Sequence, residues 1–246
     1  MADNPEKMRL DALLVSRGLF ESREKAQRAL MARLVEVAGQ RDKKPGDRVR
    51  ADVEIHVHGG EKYVSRGGLK LEAALDAFAI DPTGWTCLDI GASTGGFTDC
   101  MLQRGAAKVH ALDVGHGQLH WKIRSDARVV AREGINCRNL SFADVGERVR
   151  LAVADVSFIS LTLIIPPAFE LLEPDGCMVV LIKPQFELSR DAVGKGGIVS
   201  DPAAHAAAVE KIRGFVEAAG RQWCGFIESP ILGTTGNREF LACLRP

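Results

Sequence analysis

Residues 86–90, Thr86-Cys-Leu-Asp-Ile90, form an apolar run of strand character that leads without a break into Gly91-Ala-Ser-Thr-Gly95-Gly96-Phe97. Nothing else in the sequence constrains the fold as strongly. A glycine directly after a buried strand lets the backbone turn sharply and lie against a ligand. The spacing G-x-x-x-G-G differs from the G-x-G-x-x-G of dinucleotide folds, and no Gly-Lys-Ser/Thr completes a phosphate loop. Asp89 sits on the strand itself, where a carboxylate suits a ligand that carries an ammonium group and no phosphates. Asp113 ends the next strand, where an acid can accept both hydroxyls of an adenosine ribose. A glycine turn that only packs a strand against a helix would look the same locally. The two acids together favour ligand binding.

The pattern around this turn alternates. Strands are predicted at 108–112, 129–131, 151–154 and 177–182, with a closing pair at 226–227 and 240–244. Helices are predicted at 69–80, 97–104 and 205–219, the last opened by Asp201-Pro202, a good cap and first-turn pair. Such alternation implies a mostly parallel, doubly wound sheet. The first sixty residues read differently. Residues 9–18 form a short helix with Leu10, Leu13 and Leu14 on one face, stopped by Gly18. A second helix runs over 22–31, with Ser22 as its N-cap. Residues 34–38 and 52–57 then alternate like the two strands of a small hairpin, with a turn-rich stretch at 39–46. Gly59-Gly60 and the residues after them form a natural boundary.

Composition narrows the class only slightly. Lysine plus arginine equals aspartate plus glutamate at 32 each, so net charge does not point to a polyanionic partner. The first fifty residues carry twelve basic against eight acidic side chains, which fits either a basic face or a solvated helix surface. The six cysteines, at 87, 100, 137, 177, 224 and 243, form no CxxC pair. They read as scattered thiols in a reduced compartment, with no metal site. The polar start of the chain lacks the apolar core of a signal peptide, and no apolar run reaches the length of a membrane span. The cytoplasm is the expected location.

Residues 8–57 resemble the S4 RNA-binding domain, through Arg9-Leu-Asp-x-Leu-Leu-Val-x-x-Gly18, Ser22-Arg-x-x-Ala-Gln-x-x-Leu30 and the turn Lys44-Pro45-Gly46. One departure stands out: Ala32-Arg33 replaces the glycine usual before the first strand. The resemblance implies that Arg9, Arg23, Lys25, Arg28 and Arg33, with Arg66 beyond the boundary, meet RNA. Such residues bind phosphate without reading bases. A solvated helix with Glu21/Lys25 and Glu24/Arg28 ion pairs would carry the same charges.

The remainder resembles the class I (Rossmann-like) methyltransferases, which implies an α/β fold with a mostly parallel seven-stranded sheet, preceded here by the small α+β S4-like domain. The expected division is 1–58 for RNA binding, 59–66 as linker and 67–246 for catalysis. The cofactor implied is S-adenosylmethionine. On that resemblance Asp89, Gly91, Ala92, Ser93, Gly95, Gly96 and Phe97 form the methionine end of its site, Asp113 holds the ribose, and Glu133 and Asn136 lie near the adenine.

Lys70, Asp155, Lys183 and Glu239 fall at the same rim and resemble the Lys-Asp-Lys-Glu tetrad of FtsJ-like RNA ribose 2′-O-methyltransferases. With Ser-Arg-Gly-Gly-Leu-Lys-Leu, Lys-Pro-Gln-Phe-Glu and Gly-Asn-Arg-Glu-Phe, the chain resembles the hemolysin A/TlyA family along nearly its whole length. That implies methylation of a cytidine ribose in ribosomal RNA, on the RNA or a ribosomal subunit. The large subunit is favoured because the chain ends soon after the last strand. Lys183, directly after four apolar residues, would be the general base. Residues 187–200, with Gly194-Lys-Gly-Gly-Ile198, could close over RNA or simply move. Trp121 is expected in the core, although it and His116 could stack on a base. Three alternatives remain open: an RNA base methyltransferase, a non-catalytic RNA-binding or ribosome assembly factor, and a membrane-lytic protein. The last has no segment suited to insertion.

Overall fold

A computed structural model describes residues 7–58 and 62–246. The start of the expected linker, Gly59 to Glu61, and the polar residues 1–6 lie outside the described residues. The chain divides into two compact units, Met1–Lys62 and Tyr63–Pro246.

The small unit is ordered as β1 (Lys7–Arg9), α1 (Leu10–Ser16), α2 (Arg23–Met31), β2 (Val35–Val37), β3 (Arg48–Arg50) and β4 (Ile55–Val57). Leu10 and Leu14 of α1 meet Ala26, Ala29 and Leu30 of α2 over Val35 and Val37, so one apolar stripe from each helix closes a core. α1 ends at Gly18, whose positive φ of 68° lets Leu19 N–H return to the Leu14 carbonyl. Ser22 caps α2, its hydroxyl accepting from Lys25 N–H at 3.3 Å. β2 pairs antiparallel with β4, as the alternation suggests. β1 and β3 form a second antiparallel pair that the sequence pattern did not disclose. Each is three residues of largely charged sequence, Lys-Met-Arg and Arg-Val-Arg, too short for a periodicity to register.

Arg33 explains the departure from the S4 pattern. Its φ is +56°, in the left-handed region where glycine costs nothing and a side chain crowds the following carbonyl.

The large unit carries a seven-stranded sheet. In chain order it holds α3 (Gly67–Ala77), β5 (Thr86–Ile90), α4 (Gly96–Gln103), β6 (Lys108–Asp113), α5 (Trp121–Arg124), β7 (Val129–Glu133), α6 (Phe142–Val145), β8 (Val149–Ala154), α7 (Ile165–Phe169), β9 (Leu172–Ile182), α8 (Pro184–Glu187), α9 (Pro202–Ala218), β10 (Gln222–Glu228) and β11 (Phe240–Arg245). The strand order is β10-β11-β9-β8-β5-β6-β7; β11 alone runs antiparallel to its neighbours. The central strands are buried on both faces, and alternate residues feed two cores. Leu88, Ala152, Val180 and Ala242 enter one with α7 and α9. Cys87, Val153, Val179 and Leu241 enter the other with α3 and α4. This is why the strands read as nearly continuous apolar runs. No described helix is long and apolar enough to cross a membrane.

Because β5, β6, β8 and β9 run the same way, residues at their carboxyl ends share one rim. The reversed β11 brings its amino end to that rim. Phe240 pairs with Ile182, so Glu239 lies across from Lys183.

Replacing Arg33 by Gly removes the left-handed strain, about 1–2 kcal/mol, against a glycine entropy cost of roughly 0.5–1 kcal/mol. Thermal denaturation of Arg33→Gly is therefore expected to show unchanged or slightly raised stability. A marked loss would show that the side chain supports the fold by some other contact.

Candidate active site

The glycine turn has the geometry that its sequence demands. Gly91 has a φ of +83°, and a Cβ there would stand 2.5 Å from the Asp155 carbonyl oxygen, so the backbone lies directly against the end of β8. Gly95 (φ +92°) precedes α4, and a Cβ on it would strike Leu119 at 2.9 Å. The Asp113 carboxylate secures the turn by accepting Ser93 N–H and Gly115 N–H, both at 2.7 Å, one on each oxygen. Beside it lies a cleft of about 520 Å³, lined by Gly91, Ser93, Asp113, Asn136, Asp155, Ser157 and Phe158 among others.

Asp89 lies beneath this floor, fully buried. One carboxylate oxygen accepts from the Thr98 hydroxyl at 2.6 Å, and the other, Oδ1, has no hydrogen-bond partner among the described residues. Burial pushes its pKa up to about 7; the nearby Asp155 and Asp113 carboxylates add to the rise, and Thr98 opposes it. A buried oxygen without a donor is costly. With two more acids at the cleft, it fits a cationic ligand and disfavours a phosphate-bearing one.

Two lysines stand almost out of water, one of them against Asp155 of the cleft. Lys183 and Lys70 are each 9% exposed. The Lys183 ammonium lies 2.6 Å from Asp155 Oδ1 and donates to Ser157 Oγ at 3.0 Å. Lys70, one turn into α3, donates to Glu239 Oε2 at 2.5 Å, with Glu239 itself buried. The four residues are thus arranged as two lysine–carboxylate pairs, linked by the β9–β11 register. Gly233 makes room for the second pair, since a Cβ there would fall 2.4 Å from Glu239 Oε1.

Comparison with known proteins identifies both units of the chain. A family model described as FtsJ-like methyltransferase matches residues 63–246, and one described as S4 domain matches residues 8–55. The chain is 49% identical over 238 residues to YqxC of Bacillus subtilis, described provisionally as an rRNA methyltransferase, covering 96% of this chain and 85% of the other. It is 44% identical over 241 residues to the 16S/23S rRNA (cytidine-2′-O)-methyltransferase TlyA of Mycobacterium tuberculosis, covering 97% and 90%. A solved structure described provisionally as a hemolysin, from Streptococcus thermophilus, superposes with a TM-score of 0.72 at 45% identity, covering 98% and 89%. The chain belongs to the hemolysin A/TlyA family of FtsJ-like methyltransferases.

In this methyltransferase, several of the residues expected at the cofactor site are packed or bonded away from the lining of the cleft. Gly96 faces α3, where a Cβ would meet Ser65 Oγ at 2.2 Å, and Phe97 is buried in the core beside Gly67. Ala92 is buried in the turn. Glu133 accepts Gly117 N–H at 3.0 Å and pairs with Arg124, steadying the loop after β6. Asn136 does reach the cleft, its side chain accepting Arg138 N–H. Trp121, expected in the core, is 49% exposed, with its ring 5.9 Å from that of His120. It starts a one-turn helix too short to bury it.

The basic residues are placed as follows. Arg28 and Arg33 are exposed, Lys25 pairs with Glu21, and Arg9 and Arg23 both bond to Asp11. Arg66 is exposed just before α3 and donates to the Leu232 carbonyl at 3.1 Å.

Sequence reasoning missed four residues. Ser157 is a partner of Lys183. Phe158 is 87% exposed at the cleft, with a φ of +63° and its ring 5.0 Å from that of Phe186. Glu187 accepts from Ser160 Oγ at 2.6 Å and Leu161 N–H at 2.8 Å, tying the loop after β8 to α8. Asn237 accepts Val199 N–H and donates to the Gly197 carbonyl, both at 2.8 Å, which anchors the glycine loop read as either closing or mobile. Phe158 carried a signal, an aromatic three residues after a rim acid. The others are ordinary polar residues whose partners lie far off in sequence.

A methyl at Gly233 would push the Glu239 carboxylate off Lys70. Gly233→Ala is expected to lower methyl transfer on the order of ten- to a hundredfold, since small misplacements at a reacting centre cost that much. Methyl incorporation measured beside a thermal melt checks this; wild-type turnover would show the pair to be dispensable.

Proposed function

We propose that the protein transfers a methyl group from S-adenosylmethionine to the 2′-hydroxyl of a cytidine ribose in ribosomal RNA. The observation that carries this is the pair of buried lysine–carboxylate contacts across the β9–β11 register, one of which shares Asp155 with an acid-edged cleft at the glycine turn. The naming of TlyA of Mycobacterium tuberculosis supports the ribose position and the cytidine. Residues 1–58 would bind RNA through Arg9, Arg23, Lys25, Arg28 and Arg33, with Arg66 contributing from the end of the linker at 59–66. Residues 67–246 would do the chemistry, in the cytoplasm.

When bound, S-adenosylmethionine supplies an electrophilic methyl on a cationic sulfonium. Asp89, unpaired at Oδ1, is the residue suited to its ammonium, and Asp113 to its ribose hydroxyls. Ser93 and the backbone at Gly91 border the same end, and Asn136 the other. The negative edge formed by Asp113 and Asp155 favours the cation and excludes phosphate.

Lys183, once deprotonated, would take the proton of the ribose hydroxyl as that oxygen bonds the methyl carbon and the carbon–sulfur bond of the sulfonium breaks, leaving a neutral thioether. Asp155 and Ser157 hold that nitrogen in place, and the Lys70–Glu239 pair borders the ribose. General-base assistance is worth about 10²–10⁴ in rate, and alignment of hydroxyl and methyl can add more, roughly 7–11 kcal/mol at its upper range. Exposed Phe158 offers a face on which an unstacked base can rest.

Incubation with labelled cofactor and separated ribosomal subunits, followed by alkaline hydrolysis, tests the reaction. A ribose methyl blocks cleavage at its own nucleotide, whereas a base methyl leaves the ladder complete and would overturn the ribose assignment. Lys183→Ala is expected to abolish turnover while cofactor affinity, read by calorimetry, stays within a few-fold. Wild-type-like turnover in that variant would remove the lysine from the mechanism.

Asp89 gives a pH prediction. Its carboxyl is half protonated near pH 7 and must ionise to meet an ammonium. Cofactor affinity is therefore expected to rise from pH 6 to pH 8, and binding at pH 6 to release up to one proton, with both effects lost in Asp89→Asn. Affinity that is flat across this range in the wild type would place the ammonium elsewhere.

A further inference from the structure

Asp11 is the second residue of α1, and its side chain is fully buried in the small unit. A carboxylate taken out of water must have its oxygens paired, and Asp11 gathers four donors. Arg9 grips it with a fork, Nε to Oδ1 at 3.1 Å and Nη2 to Oδ2 at 2.9 Å. Arg23 Nη2 reaches Oδ2 at 3.0 Å, and Gln27 Nε2 reaches it at 2.8 Å. Arg9 comes from β1, while Arg23 and Gln27 stand one turn apart on α2. One carboxylate therefore joins two elements.

The two arginines are not used up by this contact. Their side chains remain 48% and 54% exposed. Among the described residues, Arg9 Nη1 and the Nε and Nη1 of Arg23 take no other acceptor. The Arg9 guanidinium packs over the Lys44-Pro45-Gly46 turn, where a Cβ on Gly46 would lie in ordinary contact 3.7 Å from Nη1. Two guanidinium planes are thus held side by side with their outer donors free. The Arg9 hydrogen bond, aided by those of Gln27 and Arg23 and opposed by burial, holds the Asp11 carboxyl well below the usual carboxylate range. The anchor stays charged at every working pH.

We propose that Asp11 is a positioning residue that sets Arg9 and Arg23 as a preorganised seat for RNA backbone phosphate. This rests on the reading of the small unit as RNA-binding and deepens it: affinity on this face depends on a buried negative charge. A guanidinium presents its donors in a rigid plane that matches phosphate. A free arginine must give up rotamer freedom on binding, whereas one already fixed by Asp11 has less to lose.

The test turns on sign. If the arginines acted as independent point charges, Asp11→Asn would remove a negative charge from the face, strengthen RNA binding and steepen its salt dependence. Positioning gives the opposite result. In the full chain, titrated with purified large ribosomal subunits and with free ribosomal RNA, Asp11→Asn is expected to weaken binding about five- to twentyfold with no steeper salt slope. Arg23→Lys keeps the charge but loses the planar donor set, and is expected to weaken binding several-fold. In the double variant the losses should be less than additive, because both substitutions disable one seat. Wild-type or tighter binding by Asp11→Asn overturns the inference, as do fully additive losses. Should a thermal melt show that Asp11→Asn unfolds the small unit, Arg23→Lys decides: a loss supports the seat, and wild-type affinity overturns it. If the wild-type protein binds neither RNA form, the RNA-binding reading itself falls. Wild-type binding that Asp11→Asn leaves intact overturns this inference alone.

Discussion

Two ammonium groups held at 9% exposure at the edge of a sheet constrain the rest of the catalytic unit. A charge so far from water persists only beside an opposite one, and removing one member of such a pair costs roughly 3–5 kcal/mol. The fold therefore has to deliver a carboxylate to each lysine. Asp155 arrives at the end of the strand beside the one that ends at Lys183. Glu239 arrives because β11 runs against its neighbours and starts where they finish. A fully parallel sheet would put the head of that strand at the opposite edge and leave Lys70 without its partner.

The loop after β8 and the helix after β9 are joined side by side. Lys183 meets Asp155 and Ser157, the Phe186 ring meets that of Phe158, and Glu187 takes the Ser160 hydroxyl and the Leu161 amide. Lys211 from α9 closes the join from behind, bonding to Glu187. Fixed at three places, this loop can hold Phe158 in a left-handed backbone that costs energy for a bulky residue. The strain places an aromatic ring in the cleft where solvent reaches it. The same cleft is lined by Asp113 and Asp155, so it combines two acids with an exposed aromatic ring.

Much of this was legible beforehand. The strand–glycine-turn–helix from Thr86 to Gln103 forms almost where its pattern put it, because a buried strand, a turn and a helix start are local choices. The Ser22 cap and the stop at Gly18 are local as well. What the pattern left undecided shares a cause. Gly96 and Phe97 belong to the conspicuous motif, yet what they touch depends on α3, which packs against that turn. Trp121 looked like core, but its helix is a single turn and leaves the ring half-exposed. β1 and β3 escaped notice because two such short, largely charged strands acquire strand character only from each other.

The sequence by itself determined which residues bear charge at the ends of apolar runs, and it named Lys70, Asp155, Lys183 and Glu239. It also determined where the backbone must turn, because glycine after a buried strand and serine before a helix act through their nearest neighbours. Only the tertiary structure decided the partners: Glu239 for Lys70, Ser157 for Lys183, and Asp11 for two arginines. Such pairings depend on strand order, on the register between β9 and β11 and on the packing of helices. Those are set by burying two cores at once, a condition that no short stretch of sequence contains.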